Sequence, residues 1–196
     1  MTASADVAVF TPENLQHYGA VMFFTIGELP MSNSQQRAFT DFIRSGSGFL
    51  GVHSATDTFY RWPEYLKVIG GYFDQHPWHQ TVVVEAADRG NPLVAFLGTS
   101  FVVTDEIYQI RDFDAAGSHA LLRLDPTSVD LTQPNVRRHS YGWPLAWTRS
   151  YGGGPVFYTA LGHEEGVWRD SRFQQILRAP SFGRCDGRLE RPGPGL

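Results

Sequence analysis

The chain has 196 residues, enough for one domain with a sizeable core, and its 42% hydrophobic and 18% charged content is that of a folded globular protein, not a disordered one. A net charge of −4 with no basic run argues against nucleic acid as a partner, because phosphate neutralisation needs a Lys/Arg surface. The single cysteine, Cys185, excludes an internal disulfide framework and a Cys-based structural zinc site, no stretch approaches the roughly 20 apolar residues of a membrane span, and the opening MTASADVAVF lacks the basic and apolar regions of a signal peptide, so a cytoplasmic setting is expected.

In chain order, residues 5–10 read as a short strand, and TPENLQHY at 11–18 opens with Thr-Pro, a good helix entry. Residues 19–26 read as a mostly apolar strand, as expected where both sheet faces are covered. Ser32 with Gln35 fits a capping box, and Ala38, Phe39, Phe42 and Ile43 recur at helical spacing up to about Arg44, with Gly46 closing the helix. GFLGV at 48–52 is a buried strand, and 62–69 a helix with Pro63 in its first turn. GGYFDQHPWHQ at 70–80 reads as a loop, followed by a β-branched strand at 81–85. A short helix at 92–97, strands at 107–110 and 120–124, and a hairpin of 145–148 and 156–161 around YGGG follow. The last helix is 167–177, and the Gly/Pro/Arg-rich stretch 181–196 is expected to be a disordered tail behind a single domain at 1–180. Alternating β and α elements followed by a hairpin-rich half predict an α/β fold with a mixed sheet flanked by helices.

Ligands in such sheets bind outside the carboxyl ends of parallel strands. His53 follows the strand GFLGV, and His163 follows PVFYTAL and is itself followed by Glu164 and Glu165, so both imidazoles can face one crevice. GVHSATD at 51–57 has the small residues of a nucleophile elbow but lacks the second glycine of G-x-S-x-G. The plainer reading is a tight turn with His53 satisfied by backbone. His76 and His79, three apart beside Asp74, suit metal ligation, zinc for example, or else a structural turn at the His76-Pro77 step. Asp105 and Glu106 are adjacent, and neighbours on a strand point to opposite faces, so only one can enter a site. Trp147 and Arg149 alternate on one strand face, a pairing that can grip a hydroxyl or carboxylate, or be an ordinary cross-strand pair. Aromatics make up 14% of the chain; most belong to the core, but Trp62, Trp78, Trp143 and Trp168 lie beside polar residues, where flat faces also suit sugar rings.

Taken together, GFLGVHSATD, the GG-F-HP run, TDEIY, and P-AWTR-YG followed by VFYTALGHEE resemble the ThuA-like family, named for trehalose utilisation, from about Asp6 to Leu177. The resemblance implies a class I glutamine amidotransferase-like fold: three layers and a mixed, mostly parallel sheet. In amidotransferases of that class a Cys occupies the elbow and a His-x-Glu completes the triad. His53 stands about where that Cys would be, and His163 with Glu165 match His-x-Glu. Without the thiol, glutamine amidohydrolysis is not expected, and Ser54, one residue along, would point elsewhere. Similar proteins usually begin with a further strand and helix, which this reading lacks, so either the chain is truncated or another protomer of a homo-oligomer, the expected partner, covers the open edge.

The resemblance and the residues together predict a carbohydrate-active enzyme acting on a glycoside or keto-disaccharide. His53 and His163 with Glu165, Asp105 or Glu106 would serve as acid/base groups, and Trp147, Arg149, Tyr151, Trp78 and Ser54 as substrate contacts. Two of the carboxylates would flank a glycosidic bond in an ordinary glycosidase, whereas a divalent metal held by His53, His76 or His79 and His163 would favour keto-sugar chemistry by polarising an oxygen. The rival reading is a non-catalytic sugar-binding or assembly module.

Overall fold

A computed structural model describes residues 2–178. The predicted tail therefore lies outside the described residues. Among the described residues seven strands form one sheet in the order β1-β2-β7-β6-β5-β3-β4. The strands are β1 (Ala20–Phe23), β2 (Gly48–Val52), β3 (Tyr72–Ala86), β4 (Ser100–Arg111), β5 (Ser118–Leu124), β6 (Pro144–Tyr151) and β7 (Gly154–Thr159). The helices are α1 (Pro12–Leu15), α2 (Asn33–Arg44), α3 (Pro63–Ile69), α4 (Glu165–Arg169) and α5 (Ser171–Arg178). The mixed α/β fold is as expected, but parallel pairing is confined to β1-β2-β7, and the other four pairings are antiparallel. Connectivity accounts for part of this: β1 and β2 are joined through helix α2, as a parallel pair requires, whereas no helix of that length joins the strands from β3 to β7.

α2 begins as its sequence dictates. The Gln35 amide N–H donates to Ser32 Oγ at 3.3 Å, and the Ser32 N–H donates to Gln35 Oε1 at 2.7 Å, completing the capping box. Its buried face is Ala38, Phe39, Thr40, Phe42 and Ile43. α3 starts on Pro63 and stops at Gly70, whose φ of 90° is the left-handed conformation that suits glycine. Both helices cover the face of β2 that carries Phe49 and Gly51. There Phe23, Phe39, Phe49, Phe59, Trp62 and Tyr65 form a continuous aromatic cluster, the Phe23 and Phe39 rings stacking at 5.0 Å. On the other side, Gly162 packs between Val52 and Phe173 of α5.

Three elements differ from expectation. Residues 5–10 make only a 3-10 turn, Val7–Val9, capped by Asp6. The predicted final helix breaks at Asp170, which is extended and accepts from Arg172, giving α4 and α5. Most consequentially, the predicted loop 70–80 belongs to β3. It pairs with β4 through two irregularities, one between Phe73 and Gln75 and one between Gln75 and Trp78, so Pro77 falls at a bulge that needs no N–H.

The hairpin of β3 and β4 positions the site. β3 joins the sheet through Val84–Ala86 pairing with β5. The far half of the hairpin, around 72–80 and 105–111, departs from the sheet and packs back over the ends of β2 and β7. The evidence is direct: the ring of Tyr108 on β4 lies 4.0 Å from that of His53, which follows β2, and Asp105 accepts from the loop after β7.

Candidate functional site

His53 and His163 meet. Their ring centroids are 5.3 Å apart at the C-terminal rim of β2 and β7. His53 ends β2 with φ 45°, a left-handed conformation for a residue with a side chain, and a 3-10 turn, His53–Thr56, follows at once. Such a conformation costs about 1–3 kcal/mol and persists only where surrounding contacts enforce it. Here the Tyr158 hydroxyl donates to the His53 carbonyl at 2.8 Å, and His53 Nδ1 lies 2.7 Å from the Ala160 carbonyl oxygen. The turn is thus elbow-like, with an imidazole where a nucleophile would stand.

The two adjacent acids divide as strand alternation requires. Asp105 is fully buried and serves the backbone: Oδ2 accepts from Gly162 N–H at 2.7 Å, and Oδ1 accepts from His163 N–H at 3.1 Å and Glu164 N–H at 2.9 Å. It fixes the loop that carries His163. Burial pushes its pKa up, opposed by those N–H groups and by the nearby His53 ring. Glu106 instead faces the imidazoles. Its Oε2 lies 3.3 Å from His53 Nε2 and 3.4 Å from His163 Nδ1, and its Oε1 lies 3.3 Å from His76 Nδ1. Glu106 is 13% exposed, His53 is 3% exposed, and His163 and His76 are about half exposed, so the cluster grades from core to solvent. Burial lowers the pKa of His53, against the Ala160 carbonyl and the two acids, which raise it. At the mouth His79 Nε2 is 2.6 Å from Glu164 Oε1, and the His79 ring is 5.3 Å from that of His163.

Aromatic rings line this region. Tyr108 contacts His53, Phe73 lies 4.3 Å from Tyr108, and Trp168 donates to the Gly162 carbonyl and meets the half-exposed Phe24 edge-on at 5.4 Å.

Several predicted residues stand elsewhere. Glu165 does not orient His163: it begins α4, is exposed, and pairs with Arg169 one helical turn on. Glu106, on a distant strand, takes that place. Trp147 is fully buried and donates to the Ile69 carbonyl. Arg149 binds Asp114 at 3.0 Å, and the Tyr151 hydroxyl binds Glu64. β6 runs antiparallel to β7, so Arg149 and Tyr151 pair with Val156 and Gly154 near its start, away from the rim. Trp78 is fully buried and donates to the Asp130 carbonyl, on the face opposite His79. Ser54 stays beside His53 in the turn, half-buried, and its carbonyl accepts from Thr58. Sequence reading gave no role to Tyr108 or Phe73, which only the fold-back of the hairpin reveals; Glu164, noted beside His163 in the sequence, lies against His79. A cleft lies at the opposite end of β2, between α1, α2 and Gly153, lined by the charged groups Arg37 and Asp41 and by no histidine.

The chain is thus a mixed α/β protein with a histidine–carboxylate cluster at the carboxyl ends of its parallel strands, the end at which open α/β sheets generally take ligands. The chain belongs to the ThuA family, described as trehalose utilisation, which it matches over residues 1–180. It resembles the crystal structure of a ThuA-like protein from Bacteroides uniformis, with a TM-score of 0.75 and 25% identity over 90% of this chain and 73% of that one. A ThuA-like protein from Parabacteroides merdae matches 92% of this chain and 75% of its own, with a TM-score of 0.65 and 17% identity. A β-galactosidase from Rahnella sp. shares the fold over 84% of this chain but 23% of its own, with a TM-score of 0.52 and 18% identity. No curated protein matches the chain in sequence.

Proposed function

We propose that the crevice at the rim takes a small carbohydrate, a trehalose-type disaccharide or an oxidised keto form of one, and converts it. The observation that carries this reading is the convergence of Glu106 on His53, His163 and His76 at the site where the fold places ligands. Membership of a family described as trehalose utilisation supports the substrate class. The part-exposed rings of Phe73 and Trp168 supply flat apolar faces of the kind sugar rings stack on, with Phe73 backed by the buried Tyr108.

His163 is the group best placed to move a proton, because it is part-exposed and a carboxylate stands behind its Nδ1. Keto-sugar conversion is favoured over ordinary glycoside hydrolysis. A glycosidase needs two carboxyl groups free to flank the bond. Asp105 spends both oxygens on backbone N–H groups, Glu165 is turned outward to Arg169, and Glu164 is paired with His79. We read the protein as cytoplasmic and homo-oligomeric; light scattering of the purified chain tests the second point.

The experiment is turnover on a panel of trehalose, keto-disaccharides and chromogenic glycosides, for wild type and His163→Ala. General acid–base loss is expected to reduce turnover by about 10²–10⁴-fold with the fold unchanged. Sugar binding without turnover by wild type would instead make this a binding module, and undiminished turnover in His163→Ala would refute the role of the ring.

A further inference from the structure

The geometry points to a binding site for one divalent transition-metal cation, zinc by donor type, held by His53 Nε2, His163 Nδ1 and the Glu106 carboxylate, with His76 Nδ1 at the second carboxylate oxygen. The inference rests on the same cluster as the functional proposal and adds what that cluster holds; where the ion is bound at Nδ1, His163 acts as a ligand and not as the proton-moving group.

The argument begins with the proton on His53. Nδ1 faces the Ala160 carbonyl oxygen at 2.7 Å, and a carbonyl only accepts, so Nδ1 carries the N–H. In the neutral ring Nε2 therefore presents a lone pair. That lone pair is buried, has no hydrogen-bond partner, and lies 3.3 Å from Glu106 Oε2, itself an acceptor. Two acceptors face to face, one of them buried and the other part-buried, repel unless a positive charge lies between them. A metal cation meets the requirement, and an imidazole whose other nitrogen donates to a backbone carbonyl is the usual arrangement of a metal-bound histidine.

The distances agree. Neither His163 Nδ1, at 3.4 Å, nor His76 Nδ1, at 3.3 Å, makes a hydrogen bond to Glu106, although each ring nitrogen lies close to an oxygen. Zinc bonds of about 2.0–2.1 Å in a tetrahedron separate neighbouring donors by roughly 3.3 Å. The donor atoms of His53, Glu106 and His163 all lie within 4.8 Å of one another, so they can share one ion. Two or three imidazoles with one carboxylate form a donor set for zinc and for other first-row divalent ions, not for magnesium or calcium. Asp105, by clamping the backbone of 162–164, holds His163 in place for that ion. Bound there, the cation would polarise a sugar hydroxyl or carbonyl oxygen.

The test uses protein stripped with chelator and titrated with Zn²⁺ by calorimetry and with Co²⁺ by visible absorption, in the absence of sugar. One ion per chain is expected. His53→Ala, His163→Ala and Glu106→Gln should each weaken binding by at least about 10-fold, the least effect expected even for an outer-shell partner. His119→Ala removes an exposed histidine that pairs with Asp88, and should leave binding unchanged. Glu106→Gln is isosteric and serves if His53→Ala fails to fold. Absence of saturable binding overturns the inference, as does binding that survives Glu106→Gln. Loss of binding in Glu164→Gln alone would move the ion to the second cluster of His79, His163 and Glu164 and also overturn it. Binding without sugar turnover would leave this inference standing and remove the functional proposal; turnover indifferent to chelator, without binding, would do the reverse.

Discussion

Asp105→Asn isolates the device that sets the active loop. The carboxylate is fully buried and accepts three backbone N–H groups, two on Oδ1 and one on Oδ2. Asparagine keeps an oxygen for His163 and Glu164 but turns an NH₂ toward the Gly162 N–H, leaving a buried donor facing a donor. That mismatch costs about 1–3 kcal/mol, and the two retained bonds each lose about 1 kcal/mol on passing from charge-assisted to neutral. Relief of the buried charge returns part of the total, since burial already disfavours the ionised form. A net loss of about 2–4 kcal/mol follows, and at about 2–4 °C per kcal/mol for a chain of this size Tm should fall by roughly 4–16 °C. Thermal unfolding followed by circular dichroism at neutral pH measures it, with turnover read below the transition. An unchanged Tm would refute the claim that this carboxylate anchors the His163 loop.

Gly162→Ala places a Cβ 3.0 Å from Val52 Cγ1 at a φ of 123°, so strain and crowding together should destabilise the fold by about 2–4 kcal/mol, measured by urea denaturation. Phe39→Ala empties the centre of the aromatic cluster and should cost about 3–5 kcal/mol in the same assay. Arg149→Lys should lower Tm while leaving the KM for sugar unaltered, because Arg149 serves Asp114 and Ser118 at the far end of β6; a raised KM would return it to the crevice. The Tyr151 hydroxyl, then Lys67, hold Glu64 below the ordinary carboxylate range. A depressed folded pKa gives stability that is present above the unfolded value and lost as pH falls through the folded one. Tyr151→Phe should therefore flatten the acid limb of a Tm–pH profile, and an identical slope in both proteins would contradict the assignment.

Local chemistry made much of the fold legible before any coordinates. The Ser32/Gln35 box, the apolar spacing of Ala38, Phe39, Phe42 and Ile43, and the unbroken run 48–52 each depend on near neighbours, and each formed as read. The two histidines were legible for the same reason: both end strands of the parallel part of the sheet, and strand ends of that kind converge. Asp105 and Glu106 were legible as a pair of which one faces a site, because alternation is local.

Which one, and what it meets, was decided by the tertiary structure. Phe73 to Gln80 has a proline and scattered polar residues, so it reads as a loop, and only pairing with β4 supplies the backbone partners that make it a strand. That hairpin leaves the sheet beyond Val84 and folds back, so Glu106 reaches His53 across more than fifty residues of chain, displacing the adjacent Glu165 from the role its spacing suggested. Sequence proximity favoured Glu165; helix α4 turned it to solvent. Side-chain periodicity fixes which face a residue takes within its own element, but the contact between two elements depends on how the whole sheet curls, and no local pattern encodes that.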